Sequence, residues 1–294
     1  MSRGPATARR LFDRFEPVHA LTYFAPEART AFDGVGLRGF WMGYFAARSA
    51  PLGPAPADVV TAMFYNFSPS HVARALPAAW ELASTAEVLR VRESSAVAAL
   101  RRCGVLDDPL RTAADLLAKA AIGASRDGRP LFAANHALPW PYEPLARLWH
   151  AATLLREQRG DAHVAVLVAN GVGGRECNVL HSVADRVPRD FIMRSRQYDD
   201  DEWRSCAERL AERGILNRDG ALTNSGREFK QHLEDTTDEL ALHAFDSLDD
   251  AELELLFRTL TPITRAVIAG GDIPAATPMG LRRDDLGDDG AHLD

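Results

Sequence analysis

Cysteine is scarce: Cys103, Cys177 and Cys206 are the only three in 294 residues, far apart and never in C-x-x-C spacing. That argues against a disulfide-stapled framework and a thiolate zinc site, and leaves the three as small apolar packing residues. Long apolar runs are missing too. No stretch approaches the roughly 20 residues that span a bilayer. The basic start MSRGPATARRLFDRF has no apolar segment behind it, so no membrane span is expected and the cytoplasm is the expected compartment. Positive charge is in deficit, with 34 Lys and Arg against 41 Asp and Glu, a formal net charge of −7 and a pI near 5.7. The molecule as a whole repels polyanions, so a nucleic-acid contact would need a local basic patch. G-x-S-x-G and P-loop motifs are absent, H-E-x-x-H is absent, and DGVGLRG has no strand before it, so no motif names a reaction or a cofactor.

What remains is a helix-rich chain, 46% hydrophobic and 26% charged, with Ala, Leu, Arg and Glu at 3.6-residue spacing. Arg9–Leu21 reads as a helix, and Pro26 opens a second one running to Phe32. Arg38–Ala50, Asp58–Phe67 and Glu87–Arg102 follow, with Ser68 as an N-cap before Pro69. Residues 126–144, RDGRPLFAANHALPWPYEP, have no sustained period and read as a linker. The residues after Gly270 hold six acids and two bases among Gly, Pro and Ala, which reads as a disordered acidic tail. The expected division is therefore a helical unit over 1–125, a linker over 126–144, a second unit over 145–268 and a tail over 269–294.

The most specific signal is LAERGILNRDGALTNSGREF at Leu210–Phe229. Gly214 ends a helix, IL opens a strand, NRDG turns it, ALT returns, and Thr223 caps the next helix. With Gly174–Ala184 and Asp201–Arg213 before it, the stretch resembles the winged helix of MarR-type regulators, and the whole chain resembles an actinobacterial helix-turn-helix-domain family of unassigned chemistry. The resemblance implies that Asp201–Arg213 is the recognition helix. It also implies that Ser225–Ala244 is the long dimerisation helix, with Leu233, Thr237, Leu240 and Leu242 inward, so a homodimer is one expected state. A fold marker of this kind says little about chemistry.

A second reading comes from DGVGLRGFWMGYFAARSAP at 33–51, which lies under NGVGGRECNVLHSVADRVP at 170–188 without a gap. Gly34, Val35, Gly36, Arg38, Ala47 and Pro51 match Gly171, Val172, Gly173, Arg175, Ala184 and Pro188. The expected fold is mostly α: tandem winged-helix-like units, pseudo-duplicated, with one small β-hairpin wing in the second half. Two Ala-, Gly- and Arg-rich helices could also match this far by composition alone. DNA binding is possible but disfavoured, because YDDDEWRSCAERLAER carries six acids against three bases where phosphate contacts need the reverse.

The alternative partner is a small molecule. RGFWMGYFAAR sets Trp41 and Tyr44 among small residues, and FYNF adds Asn66 between aromatics, a pattern that leaves either a concave apolar wall or a tightly packed core helix. Arg48 follows an apolar stretch in which a charge needs a partner. Arg147, His150, Glu157 and Asp161 share a helix face, with Arg156, Arg159 and His163 beside it. His19, Tyr23 and Glu27 repeat at i, i+4, i+8. The candidate ligand-binding residues are thus Tyr23, Trp41, Tyr44, Arg48, Asn66, Glu157, Arg159 and Asp161, with His19, His150 and His163 as candidate acids or bases. No close histidine pair is present and no metal site is expected. Three readings stand: a small-molecule-binding protein, an enzyme using the same cleft, and a ligand-responsive transcriptional regulator.

Overall fold

The computed structural model describes residues 3–105, 107–185, 187–274 and 281–293. Proline sets the first breaks. Pro5 sits in the first turn of α1 (Pro5–Phe24), and Pro26 forces Ala25 into an extended conformation (ψ 141°), so the chain restarts as α2 (Pro26–Gly34). In the second half one uninterrupted helix, α10 (Pro144–Ala169), covers a similar length. It is buried on all sides for most of that length, which is why it shows no amphipathic period.

Three apolar clusters organise the molecule. A central bundle joins α1, α10, α7 (Thr85–Arg102), α8 (Asp107–Gly123), α14 (Asn224–Leu242) and α15 (Asp250–Ala269), around Leu21, Leu117, Trp149 and Phe257. A first lobe gathers α2, α3 (Phe40–Ser49), α4 (Ala57–Phe64), α5 (Pro69–Ala75) and α6 (Ala78–Leu82) around Phe45, Phe64 and Phe67. A second lobe gathers α11 (Gly174–Asp185), α12 (Arg189–Arg196) and α13 (Asp200–Glu212) around Val179, Ile192 and Trp203. Packing in the bundle is reciprocal. Helix α1 meets α14 and α15, while α10 meets α7 and α8.

Matching local devices recur in the two lobes. Gly36 (φ 86°) ends α2 and Gly171 (φ 64°) ends α10, and each is followed by a residue, Leu37 or Val172, whose N–H returns to a carbonyl five residues back. Gly36 and Gly171 thus each stand two residues past a helix end, whereas the ungapped sequence match of 33–51 with 170–188 pairs Gly171 with Gly34. Tyr65 (φ 54°) and Gln197 (φ 55°) then turn the chain between α4 and α5 and between α12 and α13.

Several expectations are corrected. Helix α9 (Pro130–His136) lies inside the supposed linker 126–144, and its Leu131 and Phe132 are fully buried in the first lobe and in the bundle, so this segment is core. The expected disordered tail is tied down over 281–293. Arg10 and Arg14 reach the Asp285 carboxylate at 2.8 and 2.9 Å, Arg14 reaches the Asp288 carbonyl at 2.6 Å, and Leu286 and Ala291 are buried. Residues 275–280 of that tail lie outside the described residues. Helix α12 went unread because its sequence, RDFIMRSR, is short and highly charged. The hairpin reading of 215–223 reduces to one antiparallel bridge, Leu216 with Leu222, closed by Asn217 N–H to Ala221 at 2.8 Å.

Candidate functional site

A cavity of about 480 Å³ opens where the bundle meets both lobes. Its apolar wall is Trp41, Tyr44 and Phe67, mutually in contact with ring centroids 5.6 Å apart, with Tyr23 at 4.9 Å from Tyr44. Helix α3 supplies the first two because Gly43 lets it approach Phe32 of α2 closely. The polar wall comes from α1, α10, α12 and α14.

Arg48 lies over the Phe64 ring at 4.2 Å and donates two hydrogen bonds to Glu157, at 2.9 and 3.0 Å. Arg156 donates to the same carboxylate at 2.8 Å. Burial alone would raise the Glu157 carboxyl, but Arg156 and Arg48 outweigh it and hold it well below the usual carboxylate range. Glu16 is in the opposite position. It is 1% exposed, neither carboxyl oxygen has a hydrogen-bond partner, and Arg156 approaches only to 3.6 Å. Burial pushes its pKa up to about 7.

A second ionic cluster closes the far side. Arg159 reaches Asp238 at 2.8 Å, Arg9 reaches Asp238 at 3.1 Å, and both also face Glu234. His163 bonds Thr237 at 3.0 Å, and burial lowers its pKa to about 3, so it is neutral at physiological pH.

The structure brings most of the sequence candidates together. Tyr23, Trp41, Tyr44, Arg48, Asn66, Arg159 and His163 line the cavity. Glu157 stands directly behind Arg48, and His19 stands behind Tyr23, bonded to its hydroxyl at 2.9 Å and to Thr153 at 2.9 Å. Burial holds His19 well below its usual pKa, so it is a poor proton acceptor. Two candidates lie elsewhere. His150 packs edge-on against Trp140 at 4.8 Å, and Asp161 accepts the Phe132 N–H at the start of α9 at 2.9 Å. His150 is two turns, about 10 Å, from Glu157 along α10, far enough to meet a different neighbour. Burial raises Asp161 to about 7. Glu16, Arg196 and Glu234 were missed. Glu16 had a readable signal, since charges at 13, 14 and 16 interrupt the apolar run of α1; Arg196 had none while α12 was unread.

The first lobe meets the second beside the cavity, the Tyr65 turn against the start of α11 and α5 against the Gln197 turn. The Tyr65 hydroxyl donates to the Val172 carbonyl at 2.6 Å, Asn178 donates to the Asn66 carbonyl at 2.8 Å, and Arg74 donates to the Gln197 side chain at 2.6 Å. Gly174 packs so closely that a Cβ there would overlap the Tyr65 carbonyl oxygen. On α13 the outward residues Asp200, Asp201, Glu208 and Glu212 alternate with Arg204, Arg209 and Arg213, which leaves no basic stripe. Among the described residues no group of three or more His, Cys, Asp or Glu is placed to hold a metal ion, and no helix is long and apolar enough to cross a membrane.

In comparisons with known proteins, residues 8–274 match the profile of a family described as a helix-turn-helix family. No curated protein and no solved structure matches.

Proposed function

Starting from a chain that belongs to the helix-turn-helix family over nearly its whole length, we propose that it is a cytoplasmic small-molecule-binding protein. On this reading the scaffold is two winged-helix-like units fused in tandem, as in a MarR-type dimer folded into one chain. The reciprocal packing of α1 and α10 on each other's units supports the fusion, as do the matched turns at Tyr65 and Gln197. In this scheme the bridge at Leu216–Leu222 is a shortened wing, and α6 occupies its place in the first unit. The long helix α14 spends its apolar face on α1 and α10, so a homodimer is not needed to build the site.

The observation that carries the reading is the cavity, which combines about 480 Å³ of space, an aromatic wall, and buried atoms of Glu16 and Arg196 that lack a hydrogen bond among the described residues. That is the composition of a ligand pocket, and its size falls in the usual range of roughly 300–1,000 Å³. Family membership makes a DNA-responsive regulator the second reading. The locked contact between the Tyr65 turn and the start of the second lobe and the mixed charge on α13 argue against it, since phosphate contacts need an accessible basic face. The test is a thermal-shift screen of small molecules run beside fluorescence anisotropy on labelled duplex DNA. Ligand-induced stabilisation with weak, sequence-indifferent DNA binding is expected; tight DNA binding without any stabilising small molecule would reverse the order of the two readings.

A further inference from the structure

Resting on the cavity as the working site, the chemistry of its occupant follows from two wall groups left short of hydrogen-bond partners among the described residues. Arg196, the last residue of α12, is 9% exposed and lies over Phe67 at 4.3 Å and Trp41 at 5.8 Å. Its Nε has no hydrogen-bond partner, and Nη1 makes one long bond to the Ser195 carbonyl at 3.4 Å. Arg9, Arg48, Arg156 and Arg159 each face a carboxylate, but among the described residues none reaches Arg196. The C-terminal end of α12 favours a cation, yet that dipole does not supply the planar pair of acceptors a guanidinium fork fits. A buried cation in this state is costly until an anion arrives.

Glu16 is the converse. Its two carboxyl oxygens are buried in the α1 wall without a hydrogen bond, with Arg156 no closer than 3.6 Å, so a donor from the ligand would satisfy them. The rings of Trp41, Tyr44 and Phe67 line the same cavity. We propose that the occupant is an aromatic organic acid that also carries a hydroxyl or amino group. Its acid binds Arg196, its ring lies on the Trp41–Tyr44–Phe67 wall, and its donor binds Glu16.

Three probes that share one ring system separate these contacts: 6-hydroxy-2-naphthoate, 2-naphthoate and 2-naphthol, titrated by calorimetry into the full-length protein. The hydroxy acid is expected to bind most tightly. Arg196→Met should weaken both acids by about tenfold or more and leave 2-naphthol unchanged, as the loss of a charge-assisted pair requires. Arg196→Lys, which keeps the charge and loses the fork, should fall between. Glu16→Leu should erase the advantage of the hydroxy acid over 2-naphthoate, with circular dichroism confirming that each variant is folded. If 2-naphthol binds as well as the acids and Arg196→Met changes nothing, the ligand class is wrong while the cavity stands. If none of the three binds, the ligand class is wrong, and the thermal-shift screen decides the cavity reading separately.

Discussion

Arg48 and Glu157 are both buried and share two hydrogen bonds, so Arg48 is already engaged before any ligand arrives. Replacing it strands part of a buried carboxylate, and Arg48→Met should cost about 3 kcal/mol of stability in urea denaturation. Glu16 gives a pH signature. It ionises near 7 in the folded chain and near about 4.3 when unfolded. The folded state holds the proton more tightly, so the cost of burying the carboxylate is absent below about pH 4 and complete above about pH 7. Glu16→Gln should therefore gain on the wild type as pH rises, by on the order of 3 kcal/mol between pH 4 and 8. A gain that does not vary with pH would show that Glu16 has the same pKa folded and unfolded. Arg48 was legible in the sequence because its charge closes an apolar run, whereas the orphan state of Glu16 depends on which helices surround α1.

At the scale of elements, helix positions were readable where proline, a cap or a period marks them, as at Pro26, Ser68 and Thr223. They were not readable where tertiary contact supplies the stability. Helix α9 is seven residues long and holds its place through Leu131, Phe132 and the Asp161 cap. The tail has few apolar residues, but it carries acceptors for Arg14, which is fully buried. Asp285→Ala removes one of them and should cost about 2 kcal/mol by chemical denaturation. The contact between lobes turns on one glycine. Gly174→Ala should push α11 away from the Tyr65 carbonyl, lower the melting temperature and raise amide exchange in both turns. An alanine variant as stable and as protected as the wild type would show that the contact is not tight in solution.

For the whole molecule, net charge and the face of α13 point the same way. Binding to duplex DNA should be weak at physiological salt, and Asp201→Lys with Glu208→Lys, which leave the Asp199 cap intact, should raise nonspecific affinity with a steeper salt dependence if α13 faces the groove. The helical class was legible in the sequence and so were several residues of the cavity wall, but the contributions of Glu16, Arg196 and Glu234 were not, because the cavity is assembled from α1, α3, α10, α12 and α14, residues far apart in the chain. Its occupancy is the central claim. Gly160 lies on its wall with only ordinary contacts around a Cβ, so Gly160→Phe should fill the space without breaking the bundle. Native mass spectrometry of the purified wild type and this variant compares them directly. The account predicts a bound small molecule on the wild type that is missing from the variant; a wild type at its bare sequence mass, or an adduct that persists in the filled variant, would contradict it.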